Sequence, residues 1–386
     1  MNLYVSNINF LLLLAGLLGA NCSSARPAAK ELPADKSATV QTVNLYNNLK
    51  KLSQKGFMIG HQDDLAYGVN WRYENGRSDI KEVAGDYPAV YGWELGGLEA
   101  NEEKNMDGVP FKKMRQFIKE GYERGGVITI SWHARSPMGA PKGAWDTTHG
   151  TVASILPGGA NHALFKSWLD ELAKFFLSLK GSQGEAIPVL FRPFHELTGT
   201  WFWWCRNACT PEQFKVLWRF TQYYLREEKK VHNLLYVYNT SGDFKTKEEF
   251  LECYPGDDMV DMISFDTYQY DDPVKSDWFA KNTNFQLGLI GEIAAEKNKL
   301  TALAETGYEQ IPFASWWTET LSKAIGQHKI SYVLVWRNHG YNEGMKKMHY
   351  YAPYKGQVSE ADFIKFYQQD NTLFEKDVAK EKLYSY

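Results

Sequence analysis

The chain has 386 residues, and its 43 Lys and Arg against 46 Asp and Glu leave a net charge of −3 with no long basic run. That balance removes the electrostatic case for a nucleic-acid partner and points to a neutral ligand. Aromatic residues make up 15% of the chain, with 13 tryptophans among them, more than a core ordinarily needs, and such rings suit the apolar faces of sugars.

Residues 1–22 read as an export signal. An apolar run from Phe10 to Ala20, too short for a membrane-spanning helix of about 20 residues, is followed by small residues and Cys22. This order resembles the lipobox of bacterial lipoproteins, in which cleavage leaves a lipidated N-terminal cysteine; an ordinary cleaved signal peptide is the alternative. The expected location is the periplasm or cell envelope, with possible membrane anchoring through Cys22. Residues 23–38, rich in Ala, Pro and charge without apolar periodicity, read as a tether, and residues 39–386 as one folded domain.

Within that domain eight short runs of β-branched and aromatic residues begin at Phe57, Ala89, Gly126, Ile187, Leu234, Met259, Leu300 and Ser331. Helical stretches lie between them. Phe165, Trp168, Leu169, Leu172 and Phe176 mark a buried face from about His162 to Lys180. Another helix opens at Thr210, with Pro211 at its first position and Gln213 completing a capping box. Eight strand–helix units, with no phosphate-cradling glycine motif after the first strand, argue for an α/β protein built as a (β/α)8 TIM barrel. No cofactor and no metal are expected.

Chemistry in such barrels gathers at the C-terminal strand ends. Here those ends carry His61 and Gln62, Trp93 and Glu94, Trp132 and His133, His195 and Glu196, Asp266 and Tyr268, Glu305, and Trp336 and Arg337, and all are expected to converge on one mouth. Glu196 ends the fourth strand and Glu305 the seventh, so the two can face each other across a substrate. A retaining glycosidase needs such a pair about 5–5.5 Å apart, one carboxyl holding a proton and the other attacking. The stretch "HELTG" begins like a zinc-binding H-E-x-x-H helix, but Gly199 stands at the second histidine's place. No G-x-S-x-G elbow supports a serine nucleophile. Cys205 and Cys209, in "CRNAC", are left either as a short disulfide or as free thiols, and Cys253 makes the count odd.

These residues resemble glycoside hydrolase family 26, mostly β-mannanases. "RPFHE" has the His before the acid/base glutamate that distinguishes that family, "SWHARSP" resembles its third-strand motif with Ser136 in place of Asn, and "ALAETG" and "VWRN" resemble its seventh- and eighth-strand ends. The resemblance implies Glu196 as acid/base and Glu305 as nucleophile. It implies His195 near the nucleophile or the sugar 2-hydroxyl and Tyr268 orienting Glu305. His133, Trp201, Trp336 and Arg337 are implied at sugar subsites, Arg192 and Asp266 as supporting groups, and Trp145 stacking beyond the cleavage point. The implied substrate is β-1,4-mannan, glucomannan or galactomannan, cut internally or released as mannobiose by a monomer. A mixed-linkage β-glucanase and a non-catalytic glycan-binding barrel are the alternatives.

Overall fold

Each of the eight apolar runs forms a strand: β1 Phe57–Gln62, β2 Val90–Glu94, β3 Val127–Trp132, β4 Val189–Pro193, β5 Leu234–Ser241, β6 Met262–Asp266, β7 Leu300–Thr306 and β8 Tyr332–Val335. Neighbours pair in parallel, and β8 returns to β1 from Met58–Tyr332 to His61–Val335, closing the cylinder. This is a (β/α)8 barrel, seen in a computed structural model that describes residues 30–385, with residues 31–386 forming one compact unit. The export signal and residues 23–29 of the tether lie outside the described residues.

Period-two alternation sorts the strand side chains into two layers. Phe57, Ile59, Tyr91, Trp93, Ile130, Phe191, Tyr238 and Phe265 face the surrounding helices, whereas Met58, Val90, Val127, Leu190, Leu235, Val237, Met262, Ala302 and Leu334 fill the interior. The interior is narrow: a Cβ at Gly92 would fall 2.1 Å from Oε1 of Gln62 and would have to displace that side chain.

The lower, N-terminal end is stoppered by α1 (Val40–Leu52), capped by Thr39, whose Leu45, Tyr46, Leu49 and Leu52 join the interior cluster. Full burial of each such leucine contributes roughly 1.5–3 kcal/mol. Residues 31–38, expected as the end of the tether, are held at this same end. The Ala34 amide donates to Asp261 at 2.6 Å and Asp35 pairs with His232 at 2.8 Å, both partners lying just ahead of a strand.

Around the barrel run α2 (Asp79–Ala84), α3 (Phe111–Glu123), α4 (Thr151–Ile155), α5 (His162–Ser178), α6 (Pro211–Tyr223), α7 (Lys247–Leu251), α8 (Trp278–Lys297) and α9 (Ser322–Ile325), then α10 (Glu360–Tyr367) and α11 (Glu375–Glu381). The Thr210–Gln213 capping box forms as the sequence predicts, and α6 runs on through a π turn at Tyr224–Glu228. The helical layer is uneven: α2, α7 and α9 are only 6, 5 and 4 residues long. There, loops and the added C-terminal helices cover the sheet instead. Thr372–Leu373 pairs beside Phe57 and Met58 at the lower end, and Phe363, Phe366 and Phe374 join the outer core.

Candidate active site

Going up the same inward faces, the apolar filling gives way to polar groups: Gln62, Glu94, Ser131, Arg192, Asn239 and Asp266 continue the faces of Met58, Val90, Val127, Leu190, Val237 and Met262. The same parity corrects one expectation. His61, Trp93 and Trp132 end strands but fall on the alternate face of each strand and turn outward. Trp93 stacks on Phe117 of α3 at 5.9 Å, Trp132 lies 6.3 Å from Phe165 of α5, and His61 bonds Asp64 at 2.7 Å.

Glu305 breaks the parity. Ala302 and Ala304 belong to the interior and Leu303 to the outer layer, so strict alternation would aim Glu305 at the helices. Both flanking strands register an extra residue here: Phe265 pairs with Leu303 but Asp266 with Glu305, and Val333 pairs with Leu303 but Val335 with Thr306. This β-bulge re-aims the carboxylate into the mouth.

Glu196 is placed by a strained turn. Phe194 and Glu196 both hold left-handed backbone, φ 51° and 52°, at a cost of about 1–3 kcal/mol each. Surrounding bonds fix the turn. The Glu196 amide donates to Oδ1 of Asn239 at 2.9 Å, Trp204 Nε1 donates to the His195 carbonyl at 2.8 Å, and Trp203 Nε1 to the Ala134 carbonyl at 2.9 Å. Trp203 and Trp204 are fully buried; Trp201 is 38% exposed, and its Nε1 donates to Oε2 of Glu196 at 2.7 Å. Trp204 thus holds the turn's backbone, Trp203 ties it to the neighbouring loop after β3, and Trp201 holds the carboxyl. Cys205, Cys209 and Cys253 are free thiols, and Cys205 Sγ donates to the Glu196 carbonyl at 3.4 Å.

One carboxylate oxygen each from Glu196, Asp266 and Glu305 lie within 4.8 Å of one another. Such a trio can ligate a cation, but a guanidinium already sits against it: Arg192 bonds Asp266 at 2.7 Å through Nη1 and Glu305 through Nη2. Arg192 is buried with its nitrogens turned to these carboxylates, so its action on a substrate passes through them. The Tyr268 hydroxyl donates to the other oxygen of Glu305 at 2.7 Å, and Asn239 Nδ2 to Asp266 at 2.8 Å. Burial first, and the negative charge of Glu305 second, lift the Glu196 carboxyl to about 7 against the opposing Trp201 bond and the charges of Arg192 and His133.

Beside this pair runs a second network. Glu94 accepts from Ser131 Oγ at 2.6 Å, from the amides of Gly96 and His133 at 2.6 and 2.7 Å, and pairs with His133 Nδ1 at 2.7 Å. Burial opposes its charge, yet His133 and these donors bring Glu94 down to about 2. Burial likewise opposes a charge on His133, but Glu94 holds its pKa above the ordinary value. His195 is driven well below its ordinary value by burial and by the charges of His133 and Arg192, and its neutral ring shares a hydrogen bond with His133, Nε2 to Nε2, at 3.1 Å. His195 therefore meets His133, and its ring packs beside Phe202 and Trp204. Trp145 stacks on His133 at 5.3 Å, favourable over an imidazolium.

On the β8–β1–β2 side Trp336 is partly exposed just above β8, and Arg337 is tied to Asp107 at 2.7 Å. On the opposite side, a cleft of about 400 Å3 is lined by Glu196, Trp201, Asp243, Asp266, Tyr270 and Trp278 among others. Sequence reasoning placed Glu94 at the mouth without giving it a role, and had not singled out Asn239, Asp107, Tyr270 or Trp278 as site residues. Asn239 was legible in principle, because it continues an inward apolar face near a strand end; the other three stand on loops or at a helix start.

The geometry agrees with comparisons to known proteins. Residues 34–355 match the model of Glycosyl hydrolase family 26. A mannan endo-1,4-beta-mannosidase of Bifidobacterium adolescentis is 32% identical over 88% of this chain, which spans 35% of that protein's length. Another from Thermothelomyces thermophilus is 27% identical over 72% of the chain, which spans 52% of its length. Among solved structures, the GH26 beta-mannanase BoMan26A of Bacteroides ovatus is 45% identical with a TM-score of 0.83, covering 88% of this chain and 96% of that one. The catalytic domain of a Bacillus sp. JAMB-750 GH26 endo-beta-1,4-mannanase is 29% identical with a TM-score of 0.84, covering 92% and 97%.

Proposed function

Because the chain belongs to glycosyl hydrolase family 26, we propose that it hydrolyses the β-1,4-mannosidic bonds of mannan, glucomannan or galactomannan with retention of configuration. The observation that carries this reading is a pair of unlike carboxyls within 4.8 Å, one of them raised to about 7. Such a close approach of one oxygen from each carboxyl suits double displacement.

Glu305 attacks the anomeric carbon, forming an ester, while Glu196 gives its proton to the departing glycosidic oxygen. Trp201 donates to Oε2 of Glu196, so the proton resides on Oε1. Arg192 and Tyr268 each donate to one oxygen of Glu305 and fix its orientation. Once the ester forms, the negative charge that helped hold the proton on Glu196 is gone. Glu196 is then a carboxylate and takes a proton from water, whose oxygen attacks the same carbon and frees Glu305. His133, Trp145, Trp336 and Arg337 contact the sugars around the cleavage point, with neutral His195 setting the His133 ring.

Reducing-sugar release from mannan and from barley β-glucan, with the first anomer formed read by proton NMR, tests the reading. β-Product from mannan at a far higher rate than from glucan is expected; inverted product, or none from mannan, overturns it. We further read residues 1–22 as a lipoprotein-type export signal, residues 39–386 as the catalytic domain, and the mature enzyme as a monomer anchored in the cell envelope through Cys22. The motif in residues 1–22 supports this reading, and it fails if the mature N-terminus measured by mass spectrometry carries no lipid.

A further inference from the structure

The β5–β6 side of the mouth holds two large aromatic rings that are exposed. Tyr270 is 84% exposed and Trp278, the first residue of α8, is 53% exposed; both line the cleft of about 400 Å3 that also contains Glu196 and Trp201. The catalytic assignments above do not use either ring. The cleft floor is polar and preset: Asp243 accepts from Thr198 at 2.7 Å and Ser241 at 3.0 Å and is also bonded by Arg206. Its backbone runs close, since a Cβ on Gly242 would fall 2.8 Å from Cβ of Thr267. Open rings above an oriented carboxylate and hydroxyls form the pattern that receives a pyranose, its apolar face on the ring and its hydroxyls on the polar groups.

The wall also tells which sugar enters. It includes Glu196, which faces the departing oxygen, with Asp266 and Tyr268 forming its edge beside Glu305. The Arg337–Asp107 pair lies on the other side of the mouth. Resting on the retaining-mannanase reading, we propose that Tyr270 and Trp278 form a stacking platform for the sugar units on the leaving-group side of the scissile bond. Asp243 hydrogen-bonds their hydroxyls.

The test is the ratio of kcat/KM on mannopentaose to kcat/KM on an aryl β-mannobioside, whose leaving group is not a sugar. It is measured for the full chain and for Tyr270→Ala, Trp278→Ala and the double variant, with Trp278→Phe as the conservative control. The ratio is expected to fall about tenfold or more in the double variant and to recover most of the Trp278→Ala loss in Trp278→Phe. A double-variant ratio within twofold of the parent overturns the platform, as does an equal loss on both substrates. A parent protein that cleaves neither substrate instead overturns the mannanase reading itself.

Discussion

The two ends of one barrel interior follow opposite rules although the same eight strands build both. At the lower end Met58, Val90, Leu190, Leu235 and Met262 form one apolar cluster with the leucines of α1. Four or fewer residues further along the same inward faces stand Gln62, Glu94, Arg192, Asn239 and Asp266, with left-handed backbone at Phe194 and Glu196 and a bulge before Glu305. The apolar end provides cohesion. The polar end holds close-set charges and strained turns that the rest of the fold must tolerate, and there unlike carboxyls stand side by side.

Substitutions at the two ends should therefore separate chemistry from stability. The largest effect is expected from Glu305→Ala, which removes the proposed attacking group. Turnover of mannan should fall by at least about ten-thousandfold while oligosaccharide binding, followed by calorimetry, persists. Retained turnover would show that the carboxylate re-aimed by the bulge is not the nucleophile. Glu196→Ala should lower the rate on mannan by about a hundred- to ten-thousandfold, but much less on an aryl glycoside whose leaving group needs no proton. In the parent the rate on mannan should decline as pH rises through about 7, where Glu196 loses its proton, and that limb should be missing from the variant. Equal losses on both substrates would remove the proton-donor role.

The lower end gives the converse experiment. Leu49 is fully buried in the interior cluster, and Leu49→Ala should destabilise the fold by about 2–5 kcal/mol in denaturant titration while leaving kcat/KM at 25 °C nearly unchanged. A large loss of kcat/KM in the folded variant would mean that the ends are mechanically coupled and the contrast is too simple.

How much of this could be read beforehand follows from which physical rule governs each residue. The eight strands and the α6 cap were legible because alternation and capping are local. Arg192 and Glu196 were legible as a strand end, but not the left-handed turn between them, which depends on Asn239, Trp203 and Trp204 arriving from elsewhere. Glu305 was found through its motif; parity alone would have aimed it outward, since a bulge depends on both neighbouring strands. His61, Trp93 and Trp132 were misplaced because every strand-end group was counted without asking which face it takes. Trp145, Tyr270 and Trp278 depend on loop paths, where no period operates.

The smallest expected effect concerns what the polar end costs. Glu196 rises from an ordinary 4.5 to about 7 on folding, so the native state binds more protons than the unfolded chain between those values. No penalty exists below about pH 4.5, where both states are protonated; it grows as pH rises and is complete above about 7, where the folded carboxyl must ionise beside Glu305. Glu196→Gln keeps an acceptor for Trp201 and carries no charge. It should therefore match the parent's stability near pH 4 and exceed it at pH 8 by about 1–3 kcal/mol, the full shift being discounted because the carboxyl is partly open to solvent. Thermal unfolding of both proteins from pH 4 to 8 measures this gap. A gap that does not change with pH would mean that the carboxyl is not raised, and the barrel's two ends would then differ in shape but not in electrostatic cost.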